Sequence, residues 1–156
     1  MDFTLTFEQQ ALVDSLTAFV EQELYPHEDI VEQLRAVPKE IADDIKRKAR
    51  EAGYVAMNMP VELGGAGLDH QTMTQVSRVM GKPSTALSLL IKRPTEILLG
   101  CKGDQVEKCL MPCIRGEKVD CFALTEPHAG SDARAIRTSA VRENGQWVLN
   151  GVKQFI

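Results

Sequence analysis

With 156 residues, 44% of them hydrophobic and 26% charged, the chain is long enough to bury a core and is composed like an ordinary globular protein. A formal net charge of -4 argues against a nucleic-acid surface, which needs a basic excess. The longest apolar run, Ala86 to Ile91, is too short to cross a bilayer and leads directly into Lys92 and Arg93, so no transmembrane segment is expected.

The N-terminus, Met1-Asp2-Phe3-Thr4, shows neither the basic nor the apolar stretch of a secretory signal, and a cytoplasmic location is expected. Thr6 followed by Gln9 has the form of a capping box opening a helix. Leu12, Leu16, Phe19 and Val20 then repeat at helical spacing toward Tyr25-Pro26. His27, Glu28 and Asp29 begin a polar stretch that reads as a linker or a frayed second piece. Pro38 suits the first turn of the next helix. There Ile41, Ile45, Ala49 and Ala52 form one apolar stripe, the charged residues from Asp43 to Arg50 face solvent, and Gly53 is placed to end it.

Tyr54 to Pro60 is expected to be extended and to lead into Gly64-Gly65-Ala66-Gly67. This loop lacks the Lys-Ser/Thr end of a phosphate-gripping loop. Asp69 can cap a helix carrying Met73, Val76 and Met80 and stopping at Gly81, with the methionines as core filler. Ser84 opens the most hydrophobic helix, with Ala86, Leu87, Leu89, Leu90 and Ile91 nearly all round it, which predicts a central position. Pro94 is expected to kink or split that helix before Ile97, Leu98 and Leu99. Asp104 starts a last helix carrying Val106, Cys109 and Leu110, closed by Pro112. Cys101, Cys109, Cys113 and Cys121 form no Cys-x-x-Cys pair and have no neighbouring histidine, so free thiols are expected and no metal site.

After Gly116 the pattern changes to strands: Val119 to Leu124, Ile136 to Val141, Gln146 to Leu149 and Val152 to Ile156, with Asn144-Gly145 as a hairpin turn and Asn150-Gly151 as a second turn. The chain stops at Ile156 within a strand, so the reading is a fragment: a helical domain over residues 1–118 and part of a β domain over 119–156. The first strand delivers Thr125-Glu126-Pro127-His128-Ala129-Gly130-Ser131-Asp132. Pro127 fixes φ and removes a donor, Gly130 permits a sharp bend or a close approach to a flat ligand, and Ser131 and Asp132 offer short polar side chains. By composition alone this is an ordinary strand–turn connection with a Ser/Asp cap.

In its order, that octapeptide resembles the signature of the acyl-CoA dehydrogenase family. Met59-Pro60-Val61-Glu62-Leu63-Gly64-Gly65-Ala66-Gly67-Leu68 is similar to the family's proline-acid-Gly-Gly loop. So are Gly103-Asp104-Gln105 through Lys108 and Leu110 to Pro112, and Gly116-Glu117. Asn150-Gly151-Val152-Lys153-Gln154-Phe155-Ile156 resembles its second flavin-side segment. The resemblance implies a mainly α fold with a β segment: an all-helical N-terminal domain followed by the first strands of a β-barrel-like domain, truncated.

It also implies chemistry. A base removes the proton α to a thioester carbonyl while FAD takes hydride from the β carbon of an acyl-CoA substrate. Carried over by position, Phe122, Leu124 and Thr125 contact the flavin ring, and Gly130 and Ser131 close around cofactor and thioester, Ser131 on the substrate side. Phe155-Ile156 stands where the family has Trp-Ile, which keeps an aromatic wall and loses the indole donor. His128 replaces a small or polar residue and reads as either an exposed loop histidine or a catalytic one. The family's base is a carboxylate in a C-terminal helical domain, so no catalytic residue is expected in this chain. Glu126 reads as a loop residue, and the fragment alone is expected not to turn over.

Lys92 and Arg93 lie near where the family packs helices around the acyl chain. Either they point into that pocket and suit an anionic acyl tail, or they snorkel beside Pro94. The resemblance further implies a fatty-acid-metabolising homo-oligomer, dimer or tetramer, that passes electrons to an electron-transfer flavoprotein or similar acceptor. Open alternatives are an acyl-CoA oxidase, a nitroalkane oxidase or a flavin-dependent monooxygenase of the same fold, or a non-catalytic helical interaction module.

Overall fold

In the computed structural model, which describes residues 4–91 and 93–156, Thr6 opens α1 (Phe7–Phe19) with the expected reciprocal cap. Gln9 N donates to Thr6 Oγ1 at 3.2 Å, and Thr6 N donates to Gln9 Oε1 at 2.9 Å. Helical winding continues through a π turn (Val20–Leu24) and a 3-10 turn (Tyr25–His27) into α2 (Glu28–Leu34). The sequence suggests a linker or a frayed second piece here. The segment is a helix because Val31 reaches the core and Glu28 accepts a bond from Ser84 N at 2.7 Å.

Pro38 caps α3 (Lys39–Glu51) from one position outside it. The buried stripe of α3 is Ala42, Ile45 and Ala49, with Ile41 at its edge and Ala52 exposed, a shift of one residue from the expected face. Gly53 (φ +75) ends the helix in a Schellman arrangement: Gly53 N bonds Arg50 O at 3.0 Å and Tyr54 N bonds Ala49 O at 2.9 Å.

Residues 54–60 form turns where extended chain is expected. Ala56 adopts φ 55, and Met59 N returns to Ala56 O at 2.9 Å. The backbone then winds against itself through Val61–Leu63, with Gly65 N on Pro60 O at 3.0 Å and Gly67 N on Met59 O at 2.8 Å. A Cβ on Gly65 would stand 2.1 Å from Met59 O, so glycine is required by contact rather than by φ.

Asp69 caps α4 (His70–Met80) by accepting from Thr72 N at 2.7 Å, and Met73, Val76 and Val79 point into the core. α5 (Thr85–Ser88) is a single turn, shorter than its apolar composition suggests. A proline at position 94 obstructs the carbonyl of Leu90 and disfavours helical geometry at Arg93, so winding cannot run through to Ile97. Leu87, Leu90 and Ile91 are buried and Leu89 is exposed.

The last helical stretch does not close at Pro112. A π turn (Val106–Leu110) runs into α6 (Met111–Ile114) with Pro112 inside its first turn. Proline leaves the Lys108 carbonyl without its helical donor, and Lys118 Nζ supplies one at 2.9 Å.

The larger core joins α1 through α5 around Leu16, Val20, Leu24, Ile45 and Leu87. Phe19 and Tyr54 meet edge to face at 5.2 Å, and Tyr54 Oη shares a 2.6 Å hydrogen bond with Ser15. A second cluster joins Ala56, Met59, Leu110 and Ile114. Among the described residues, no helix is long and apolar enough to cross a membrane.

The chain divides into two compact units, Met1–Val119 and Asp120–Ile156. In the second, β1 (Ser139–Glu143) pairs antiparallel with β2 (Gln146–Asn150), from Ser139 opposite Asn150 to Glu143 opposite Gln146. Asn144 (φ 49) and Gly145 (φ 79) make the expected turn, of type I′. The expected strands over 119–124 and 152–156 join no ladder among the described residues. Apolar patterning supplies a face, but a strand needs a paired neighbour, and these segments meet through one backbone bond, Gln154 N to Thr125 O at 3.0 Å.

Candidate functional site

The second unit is built around a buried turn. Glu126 N donates to Ala129 O and Ala129 N to Glu126 O, both at 3.1 Å, closing a tight turn over Pro127 and His128. Pro127 fits there because its fixed φ is useful and no amide is needed. Glu126 and Ala129 are each 2% exposed, so the turn carries its carboxylate inward.

Once buried, that carboxylate must be satisfied. Glu126 Oε2 accepts from Arg137 N at 2.8 Å, and Oε1 accepts from Thr138 N at 2.9 Å, from Thr138 Oγ1, and from Lys153 Nζ at 2.9 Å. His128 Nε2 lies 3.4 Å from Oε2. The Thr138 hydroxyl, then the Arg137 amide and the Lys153 ammonium, hold the carboxyl well below the ordinary glutamate range, against the opposing effect of burial. An anion so occupied is a poor proton abstractor. Glu126 is a structural keystone of the turn.

The sign of its pH dependence follows. A carboxylate whose pKa falls on folding contributes stability that is complete above the unfolded value, about 4.3, and is lost as pH drops below it toward the folded value. We expect hydrogen-exchange protection of the Arg137 and Thr138 amides to hold from neutrality to about pH 5 and to fall only below about pH 4.3. Loss of that protection between pH 7 and 5 would falsify the assignment.

Lys153 also donates to Leu124 O at 3.0 Å. With the Gln154–Thr125 bond, it brings the segment carrying Phe155 and Ile156 beside Leu124 and Thr125. Phe122 (57% exposed), Leu124 and Ile156 present apolar surface to solvent, and Phe155, 90% exposed, adopts a left-handed φ of 57. Thr125 is half-buried, and Gly130 and Ser131 are exposed. Among the described residues, the amides of residues 122–125 and the Thr125 hydroxyl find no partner. A Cβ on Gly130 would meet nothing within 4 Å, so the chain's own packing does not demand glycine there. Asp132 Oδ1 accepts from Arg134 N at 3.1 Å, the cap suggested by its place in the motif.

An exposed apolar strip with free donors, and a glycine that leaves space beside it, fits a flat ring whose edge accepts hydrogen bonds. Leu124, Thr125, Phe155 and Ile156 are thus tied into one locality, while Gly130 and Ser131 follow the turn on its other side. Sequence reasoning missed Lys153 and Thr138 as its supports, although Lys153 falls inside a quoted motif. Lys92 lies outside the described residues. Arg93 is exposed and donates to Ser77 Oγ on α4 at 3.0 Å.

Comparison with known proteins follows the same division. The family model described as "Acyl-CoA dehydrogenase, N-terminal domain" matches residues 6–117, and "Acyl-CoA dehydrogenase, middle domain" matches residues 121–156. The chain is 39% identical over 155 residues to a 3-(aryl)acrylate reductase of Clostridium sporogenes, covering 96% of this chain and 40% of that protein. It is 37% identical over 154 residues to the human mitochondrial short-chain specific acyl-CoA dehydrogenase, covering 94% of this chain and 36% of the relative. A solved Bacillus anthracis acyl-CoA dehydrogenase complexed with FAD superposes with a TM-score of 0.76 at 25% identity, over 96% of this chain and 26% of that one. The chain thus spans about 40% or less of the length of these relatives.

Proposed function

Because this chain belongs to the acyl-CoA dehydrogenase family, we propose that it forms the helical domain and the opening of the β domain of a flavoenzyme that oxidises the Cα–Cβ bond of an acyl-CoA thioester. FAD, when bound, supplies the hydride acceptor that no side chain provides. The reading is carried by the stretch from Phe122 to Thr125, exposed, apolar, and with donors free among the described residues. We assign Phe122, Leu124 and Thr125 to the ring, Gly130 and Ser131 to closure around cofactor and thioester, and Phe155 and Ile156 to the adjoining wall. Amide and hydroxyl donors suit the ring edge where negative charge collects on reduction. The proton abstractor is assigned to a part of the protein outside this chain. The whole protein is proposed to act in the cytoplasm, in fatty acid metabolism, as a homo-oligomer (dimer or tetramer) that passes electrons to an electron-transfer flavoprotein or similar acceptor.

Titration of the purified chain with FAD, followed by flavin absorbance, tests the assignment. Thr125→Ala is expected to weaken binding by up to about tenfold, the value of one hydrogen bond. The chain with FAD, acyl-CoA and an electron acceptor is expected to show no turnover, whereas the complete reading frame does. Flavin uptake indifferent to Thr125 removes that contact, and no uptake by the complete protein removes the function.

A second reading has one specific support: the relative at 39% identity is named for reduction. In that reading the same carbon–carbon bond is saturated. Assaying the complete protein with a reduced donor and an unsaturated substrate, against an oxidised acceptor and a saturated one, decides the direction.

A further inference from the structure

Resting on the flavin site proposed above, we propose that Lys153 is a positioning residue of that site, a clamp that engages the Leu124 carbonyl and the Glu126 carboxylate, so that, among the described residues, the unpartnered groups of Leu124 and Thr125 left to meet a ligand are their amides and the Thr125 hydroxyl. Its ammonium, on a side chain 25% exposed, bridges Leu124 O at 3.0 Å and Glu126 Oε1 at 2.9 Å. The next residue completes the pattern: Gln154 N takes Thr125 O, and Ala129 N takes Glu126 O. All three carbonyls from Leu124 to Glu126 are therefore occupied. The amides of Leu124 and Thr125 and the Thr125 hydroxyl have no partner among the described residues.

A free carbonyl in this row would repel the electron-rich edge of a ring, and Lys153 removes that repulsion. Its charge is matched by Glu126, so the clamp acts by geometry and adds no net charge of its own. Together with the Gln154–Thr125 bond, the same two bonds anchor the segment that carries Phe155 and Ile156, so Lys153 helps to set the spacing between the two proposed ring-contacting segments.

The structure separates this role from a purely structural one. Without Lys153, Glu126 keeps the Arg137 amide and both Thr138 donors. The turn should therefore survive while the Leu124 carbonyl is set free.

The test uses the complete reading frame loaded with FAD, comparing wild type, Lys153→Met and Lys153→Arg. Lys153→Met is expected to keep wild-type exchange protection at Arg137 and Thr138, to raise the FAD dissociation constant about tenfold or more, and to shift the visible absorption band of the flavin that remains bound. Lys153→Arg, which keeps the charge and the donors, is expected to stay close to wild type in both. If Lys153→Met binds FAD as tightly as wild type with an unchanged band, the clamp is refuted. If it loses the turn's protection, Lys153 is merely structural and the clamp is equally refuted. A wild-type protein that takes up no FAD overturns both this inference and the function on which it rests.

Discussion

Replacing Gly65 with alanine is expected to unfold the helical unit in large part. The added Cβ would lie 2.1 Å from Met59 O and 2.5 Å from Met59 C, both backbone atoms held by bonds of their own. Met59 O already accepts from Gly67 N, and the Met59 side chain is fully buried in the second cluster with Ala56, Leu110 and Ile114. The loop cannot give way without breaking that bond or opening the cluster. We expect a loss of at least about 3 kcal/mol, the upper end of what overpacking costs, read as a fall in the denaturant midpoint of helical circular dichroism. Gly100→Ala is the control: nothing lies within 4 Å of its Cβ position, and the expected change is within about 1 kcal/mol. Equal midpoints for the two variants contradict the packing described.

Glu126→Gln should release the second unit's turn while leaving the helices intact. Glutamine keeps the shape but offers one acceptor oxygen in place of two, and it brings an NH2 group up against donors. Arg137 N, Thr138 N, the Thr138 hydroxyl and the Lys153 ammonium cannot all be satisfied by one oxygen. Exchange protection at Arg137 and Thr138 is expected to drop at least about tenfold, with α4 amides as the internal reference. The variant should also lose the acid-side transition, because no carboxyl remains to titrate there. A variant that still loses protection below the ordinary glutamate range would show that another acid is responsible.

What could be read from the sequence was local. The Thr6–Gln9 cap, the Gly53 stop, the Asp69 cap and the Asn144-Gly145 turn each depend on a few consecutive residues, and each appears where expected. The octapeptide also pointed to the family, because its order is specific. What stayed hidden depends on distance or on backbone detail. The Glu126 partners lie 11, 12 and 27 residues away, so nothing beside Glu126 marks it as buried. The brevity of α5 comes from Pro94 acting back on Leu90, which overrides an apolar composition that reads as a full helix. Ala56 in a left-handed conformation, which turns the expected extended run, has no sequence signal.

The loose turn ahead of Pro112 has a genetic consequence. Between Gln105 and Met111 the backbone holds one residue more than regular winding would use, and the wide turn takes it up. Deleting one of the exposed residues Glu107 to Cys109 would let the stretch return to ideal pitch with Cys113 and Ile114, both buried, kept near their present heading. Here the identity of the buried side chains is constrained more tightly than the count of residues, so a lineage can lose one exposed letter from this stretch more readily than it can make Leu110 or Ile114 polar.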